Sequence, residues 1–194
     1  MDGRNHASIS IAEGMAAGAL AFTTIRPDAF GLIGGAIVWI ATFTGGMYPD
    51  IDSEKNTILG DSLSYNKIFF HRFEIHTPMM AILTAVPYLI ISLVIAFFRG
   101  FDFVSQFAAM TGLSMVAGYI THLFLDSFGP EGIMWLYPFS KKKFRIPIIL
   151  KKGSIIPKVF EIIFVTGFVY IAAVLFSTGI AAHEFTMDPW LYTR

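Results

Sequence analysis

A chain of 194 residues that is 55% hydrophobic and 14% charged, with a mean hydropathy of +0.63, has too little polar surface to coat a soluble globule of its size. The composition therefore excludes a water-soluble enzyme and puts the protein in a membrane. A formal net charge of zero argues against an electrostatic nucleic-acid binder, and the absence of cysteine removes both a disulfide framework and a thiolate metal site, so any metal must take nitrogen and oxygen ligands.

Five stretches read as helices able to cross the hydrocarbon, a task that takes about 18 to 25 apolar residues without central charge. The first, residues 6–24 (HASISIAEGMAAGALAFTT), is the weakest, because it contains Glu13 and its small-residue tail also suits a signal peptide. Its single early arginine is balanced by Asp2 and its core is alanine and glycine rather than leucine, which favours the helix. Residues 30–47 are short but free of charge, and 78–98, 104–125 and 159–182 are long and strongly apolar. Pro78 suits the first helical position of the third span, with Thr77 as its N-cap. The expected fold is all-α: one domain over 1–194, a polytopic bundle of about five transmembrane helices.

Parity gives these helices sides. With the N-terminus on one face, residues 48–77 and 126–158 return to that face, and the short linkers RPDAF and RGFDF lie on the other. Eleven cations fall on the N-terminal face (Arg4, Lys55, Lys67, Arg72, Lys141, Lys142, Lys143, Arg145, Lys151, Lys152, Lys158) and three on the opposite one (Arg26, Arg99, Arg194). The positive-inside rule makes the first face the cytoplasm, with the N-terminus in and the C-terminus out. The basic run SKKKFRIPIILKKG then reads as a topology determinant against anionic headgroups rather than as a nucleic-acid patch. The Pro-, Gly- and aromatic-rich stretch around it is expected to lie along the interface, where it could roof a site.

The titratable groups gather on the same face. His6 opens the first helix, Asp50 and Asp52 follow the second in GGMYPDIDSEKN, His71, Arg72, Glu74 and His76 precede the third, and His122 and Asp126 close the fourth. His122 and Asp126 are four apart, so an α-helix sets both on one stripe about a turn apart. Stepping back along that stripe gives Gly118 and Ser114, small residues that admit a neighbouring helix. Asp50 and Asp52, two apart around a proline-led turn, suit an extended loop whose carboxylates reach one centre or bridge two. Singly, each has an ordinary reading: an interfacial histidine, a capped turn, a chance His-x3-Asp pair. Together, four of the chain's five histidines and three aspartates at the ends of four helices imply an assembled metal site. Imidazole and carboxylate suit Zn²⁺, Mn²⁺ or Fe²⁺, with Zn or Mn preferred, and six or more ligands suit two divalent ions.

GGMYPDIDS, then HRFEIH, then THLFLD, with a histidine near the N-terminus, resembles the membrane-bound metal-dependent hydrolases of the LexA-binding, inner-membrane-associated hydrolase family. The resemblance covers about residues 6 to 140. It implies a prokaryotic inner-membrane location and matches His6, Asp50, Asp52, His71, His76, His122 and Asp126 to the metal-binding positions, and Arg72 to the family's arginine. Phe73 and Thr77 depart from the pattern, standing where relatives commonly carry glycine and serine.

For such a site phosphoester hydrolysis is the natural reaction class, since paired divalent ions activate water and neutralise charge on a phosphoryl oxygen. The candidates for catalysis are Asp52, Arg72, whose fork suits a phosphate although a bridge to Glu74 or Asp52 would serve structure alone, and Glu13. Glu13 lies seven residues, about 10 Å, along the first helix from His6 and reads as a partner of a ligand or as a group in a wet cavity. A site level with the headgroups on the basic face points to membrane lipids as partners, and to a phospholipid or polyprenyl phosphate as substrate. The competing class is a divalent metal or proton transporter, which predicts polar groups continuing to the far face. A regulatory adaptor would leave the histidines without a purpose.

Overall fold

The computed structural model describes residues 3–25, 27–52, 75–130, 132–146 and 155–186, with side chains given for 5–25, 27–50, 75–130, 132–146 and 155–181. These residues form five α-helices: α1 (Gly3–Ile25), α2 (Ala29–Met47), α3 (Pro78–Arg99), α4 (Phe103–Asp126) and α5 (Ile155–Thr186). A 3₁₀ turn, Tyr48–Asp52, continues α2. Each helix contains a stretch long and apolar enough to cross a bilayer, and among the described residues there is no strand, only the isolated bridge Ile133–Phe144. The architecture is the expected all-helical polytopic bundle.

Helix ends follow local chemistry. Asp28 caps α2, accepting a hydrogen bond from Gly31 N at 3.0 Å, and Asp102 caps α4 by accepting from Val104 N and Ser105 N, both at 3.1 Å. α5 reaches back to Ile155, four residues ahead of the predicted start. Thr77 takes the N-cap position of α3 in extended geometry, but by its carbonyl and not its side chain: Met80 N and Ala81 N donate to Thr77 O.

Small residues set the helix contacts, as van der Waals packing inside a bilayer favours. α1 and α2 cross where a Cβ on Gly18 would meet Gly35 O at 2.6 Å and one on Gly35 would meet Gly18 O at 2.7 Å. α2 and α4 cross where a Cβ on Gly118 would meet Thr42 O at 2.1 Å and one on Gly45 would meet Met115 O at 2.1 Å. The small-residue stripe expected on α4 is thus the seam against α2, with Ser114 Oγ also reaching Val38 O at 3.4 Å. α5 packs on α1 through Ala16, Ala19 and Ala172, and α3 packs on α4.

Candidate metal centre

At the face where α1 starts and α4 ends, a small apolar core of Ala81, Tyr119, Leu123 and Ile133 ties the helix ends together. The Tyr119 hydroxyl donates to the carbonyl of Ile75, fixing the turn ahead of α3 and with it His76. His76 therefore lies in that turn, two residues before the helix, and not on the helix itself. His6 lies one turn inside α1, which begins at Gly3. The Asp50–Asp52 loop is 3₁₀-helical instead of extended: Tyr48 keeps helical angles at φ −59° and ψ −41°, and Pro49, with its φ fixed near the helical value, prolongs the turn.

Five of the predicted residues meet there. His6 (2% exposed) and His122 (1%) form the floor, their rings stacked with centroids 4.1 Å apart, while Asp50, His76 and Asp126 are partly buried at the rim. Asp126 is the hub. Its Oδ1 lies 3.0 Å from His6 Nε2, and its Oδ2 lies 3.3 Å from His122 Nε2 and 3.8 Å from His76 Nε2. Asp50 Oδ1 faces His122 Nε2 at 3.8 Å and His76 Nε2 at 3.9 Å. Ligands about 2.1 Å from a common ion stand roughly 3.0 to 4.2 Å apart, from the edge to the diagonal of its coordination shell, so these separations suit shared coordination.

The orientation of His122 comes from outside the cluster. Its Nδ1–H donates to Gly46 O at 2.7 Å, which leaves Nε2 as the bare nitrogen facing the two carboxylates. That Nε2 is buried and has no hydrogen-bond partner. A buried acceptor pointed at carboxylate oxygens is costly in a bare protein and is satisfied by a cation. Gly46 suits its place because Ser10 of α1 fills the space a side chain there would need, with Ser10 Oγ 2.1 Å from such a Cβ. The same contact brings His6 down beside His122.

Glu13 does not join the cluster. It is buried between α1 and α4, where Thr121 Oγ1 donates to its Oε1 at 2.9 Å, and Oε2 has no hydrogen-bond partner. His71 and Arg72 lie outside the described residues, as does the side chain of Asp52. Tyr119 and Ser10 escaped the sequence reading, and so did three further contributors. The Gly46 carbonyl and the Ile75 carbonyl are backbone atoms with no letter of their own, and Thr121 had only its place beside His122 to recommend it.

The family model for the YdjM inner membrane protein matches residues 1–185. The chain belongs to that family. With five apolar helices long enough to span, this makes it a multi-pass inner-membrane protein. The YdjM match runs through every element that supplies a donor, from α1 to the end of α4, and most of α5. No curated protein and no solved structure matches the chain.

Proposed function

We propose that the protein is a membrane-embedded, metal-dependent hydrolase, and that its substrate is a phosphoester of a phospholipid or polyprenyl phosphate at the cytoplasmic face. What carries the reading is the meeting of three imidazoles and two carboxylates from α1, the 3₁₀ turn, the turn before α3 and α4. Two overlapping triads, His6–Asp50–His122 and His76–His122–Asp126, each bring their donor atoms within 4.8 Å of one another, close enough to share an ion. The two oxygens of Asp126 meet different imidazoles, Oδ1 that of His6 and Oδ2 those of His122 and His76, so this carboxylate is suited to serve two centres. His6 would open the second, with Asp52 and His71 expected to complete it. Nitrogen and oxygen donors of this kind suit Zn²⁺ or Mn²⁺.

Held there, divalent ions supply Lewis acidity, making water acidic enough to attack at neutral pH and neutralising charge on a phosphoryl oxygen. The chain's own groups do the rest. Gly46 O holds the His122 tautomer, the partly exposed Asp50, His76 and Asp126 are the donors a substrate would meet first, and Arg72, outside the described residues, would supply a bidentate fork to the phosphate. Glu13, hydrogen-bonded to Thr121 beside His122, stands apart from the donors and is not a ligand. Lipid phosphates fit because the basic loops share this face of the membrane.

One observation favours a transporter: Glu13 is an ionisable group buried about 10 Å along α1 from His6. Against it, the buried hydroxyls of Thr42 and Thr111 bond back to carbonyls of their own helices, and Ser114 does so too, instead of lining a path. Elemental analysis of gently purified protein, paired with phosphate release from lipid phosphates in vesicles, separates the readings. The hydrolase predicts bound transition metal that is lost in His122→Ala with Asp126→Ala, and turnover that is lost in Asp52→Asn. Metal flux without lipid turnover selects the transporter, and metal-free protein overturns the hydrolase.

A further inference from the structure

The segment after α4 is more than a connection. Gly132 to Ile146 folds back as a hairpin closed by two bonds, Ile133 N to Phe144 O at 2.9 Å and Phe144 N to Ile133 O at 2.8 Å. Its base is fastened to the end of α4: Ile146 N donates to Ser127 O at 2.9 Å, Trp135 Nε1 donates to Ser127 Oγ at 2.9 Å, and Ile133 and Met134 are buried. Its outer part is built in the opposite sense. Phe139 is 95% exposed, Leu136 67% and Phe144 59%, and Lys141, Lys142, Lys143 and Arg145 stand exposed beside them. Lipid-facing residues of the spans are exposed for an obvious reason. These three lie outside every span.

We propose that this hairpin is a lipid-engaging wedge, with Leu136 and Phe139 entering the acyl boundary of the leaflet while Lys141, Lys142 and Lys143 hold anionic headgroups. α4 ends at Asp126, so the hairpin starts where the chain leaves the hydrocarbon, on the face that carries the donor cluster. An apolar tip bordered by cations is the pattern of interfacial membrane contact. Taking an exposed Leu or Phe side chain out of water favours the buried state roughly 10- to 100-fold. Each lysine near an anionic surface adds roughly a fivefold factor. A protein partner fits less well, because lysine is depleted from the cores of protein interfaces. A second copy fits least, since a two-fold contact would set the three lysines against their own likeness. The wedge stands independently of the chemistry proposed for the cluster.

The absence of cysteine makes the test clean. An environment-sensitive dye is attached through Phe139→Cys, through Leu136→Cys as a second tip probe, or through Lys142→Cys as a headgroup-level control. The full chain is then placed in phosphatidylcholine vesicles with and without phosphatidylglycerol. At the two tip positions, blue-shifted emission and quenching by bromines on the acyl chains are expected, and at 142 neither. Lys141→Gln, Lys142→Gln and Lys143→Gln combined should remove the response to phosphatidylglycerol, a loss of up to about 100-fold in tip partition. Equal quenching of the tip and control dyes by aqueous iodide overturns the proposal. So does tip burial that vanishes when the protein is diluted in the bilayer, which would assign the surface to another copy.

Discussion

Gly118→Ala is the sharpest test of how the bundle positions its donors. The new Cβ would stand 2.1 Å from Thr42 O and 3.0 Å from Gly46 N, both backbone atoms that cannot rotate away. Ordinary van der Waals contact begins at 3.4 Å, so α2 and α4 must part by about 1.3 Å at this level. His122 is one helical turn further along α4, and its bond to Gly46 O, now 2.7 Å, would open to about 4 Å, beyond hydrogen-bond reach. Asp50, carried on the extension of α2, would retreat from His122 Nε2 by a similar amount, from 3.8 Å to about 5 Å. Loss of a bond that orients a ligand typically costs 10- to 100-fold in metal affinity, and the overpacking itself costs about 1 to 3 kcal/mol. Metal titration of the purified variant reads the first effect and denaturant unfolding in detergent reads the second. Gly167→Ala on α5 is the control, since its Cβ would meet nothing within 4 Å. Wild-type metal affinity in Gly118→Ala, with the fold intact, would refute the claim that this crossing holds the cluster in register.

Three further outcomes follow from the same geometry. Thr121→Val strips the donor from Glu13 Oε1 and is expected to cost about 1 to 3 kcal/mol in unfolding free energy, whereas Glu13→Gln should leave bound metal unchanged by elemental analysis, because Glu13 contacts Thr121 and not the cluster. Tyr119→Phe leaves the Ile75 carbonyl without that hydroxyl and should lower stability by about 0.5 to 1.5 kcal/mol while weakening metal binding through His76, which unfolding curves and metal titration will separate. Reporter tags at the two ends should respond from opposite sides of the membrane, the N-terminal one from the cytoplasm; both on one side would remove the five-span topology.

The spans were legible because run length in a bilayer is a nearly sufficient signal: five apolar stretches became five helices, with ends displaced by a few residues, as where Asp28 and Asp102 supply caps. Helix parity also foretold which face would gather His6, Asp50, His76, His122 and Asp126. What parity lacks is contact. Nothing in the letters says that Asp126 divides its two oxygens between His6 and His122, or that a glycine carbonyl 76 residues away chooses the His122 tautomer, because those facts depend on helix rotation and crossing depth. The 3₁₀ turn escaped for a related reason: an Asp-x-Asp pair behind a proline is compatible with both loop and helix, and the momentum of α2 decided it.

His6 and Asp126 are 120 residues apart and touch at 3.0 Å. At roughly 5 to 20 residues per second, the first histidine is made on the order of ten seconds before the carboxylate it meets. The donor set therefore closes only once the fourth helix has left the ribosome and entered the bilayer. The nascent chain spends that interval with its earliest helix unclasped, and a cation held by this donor set would join four helices already made instead of templating their insertion.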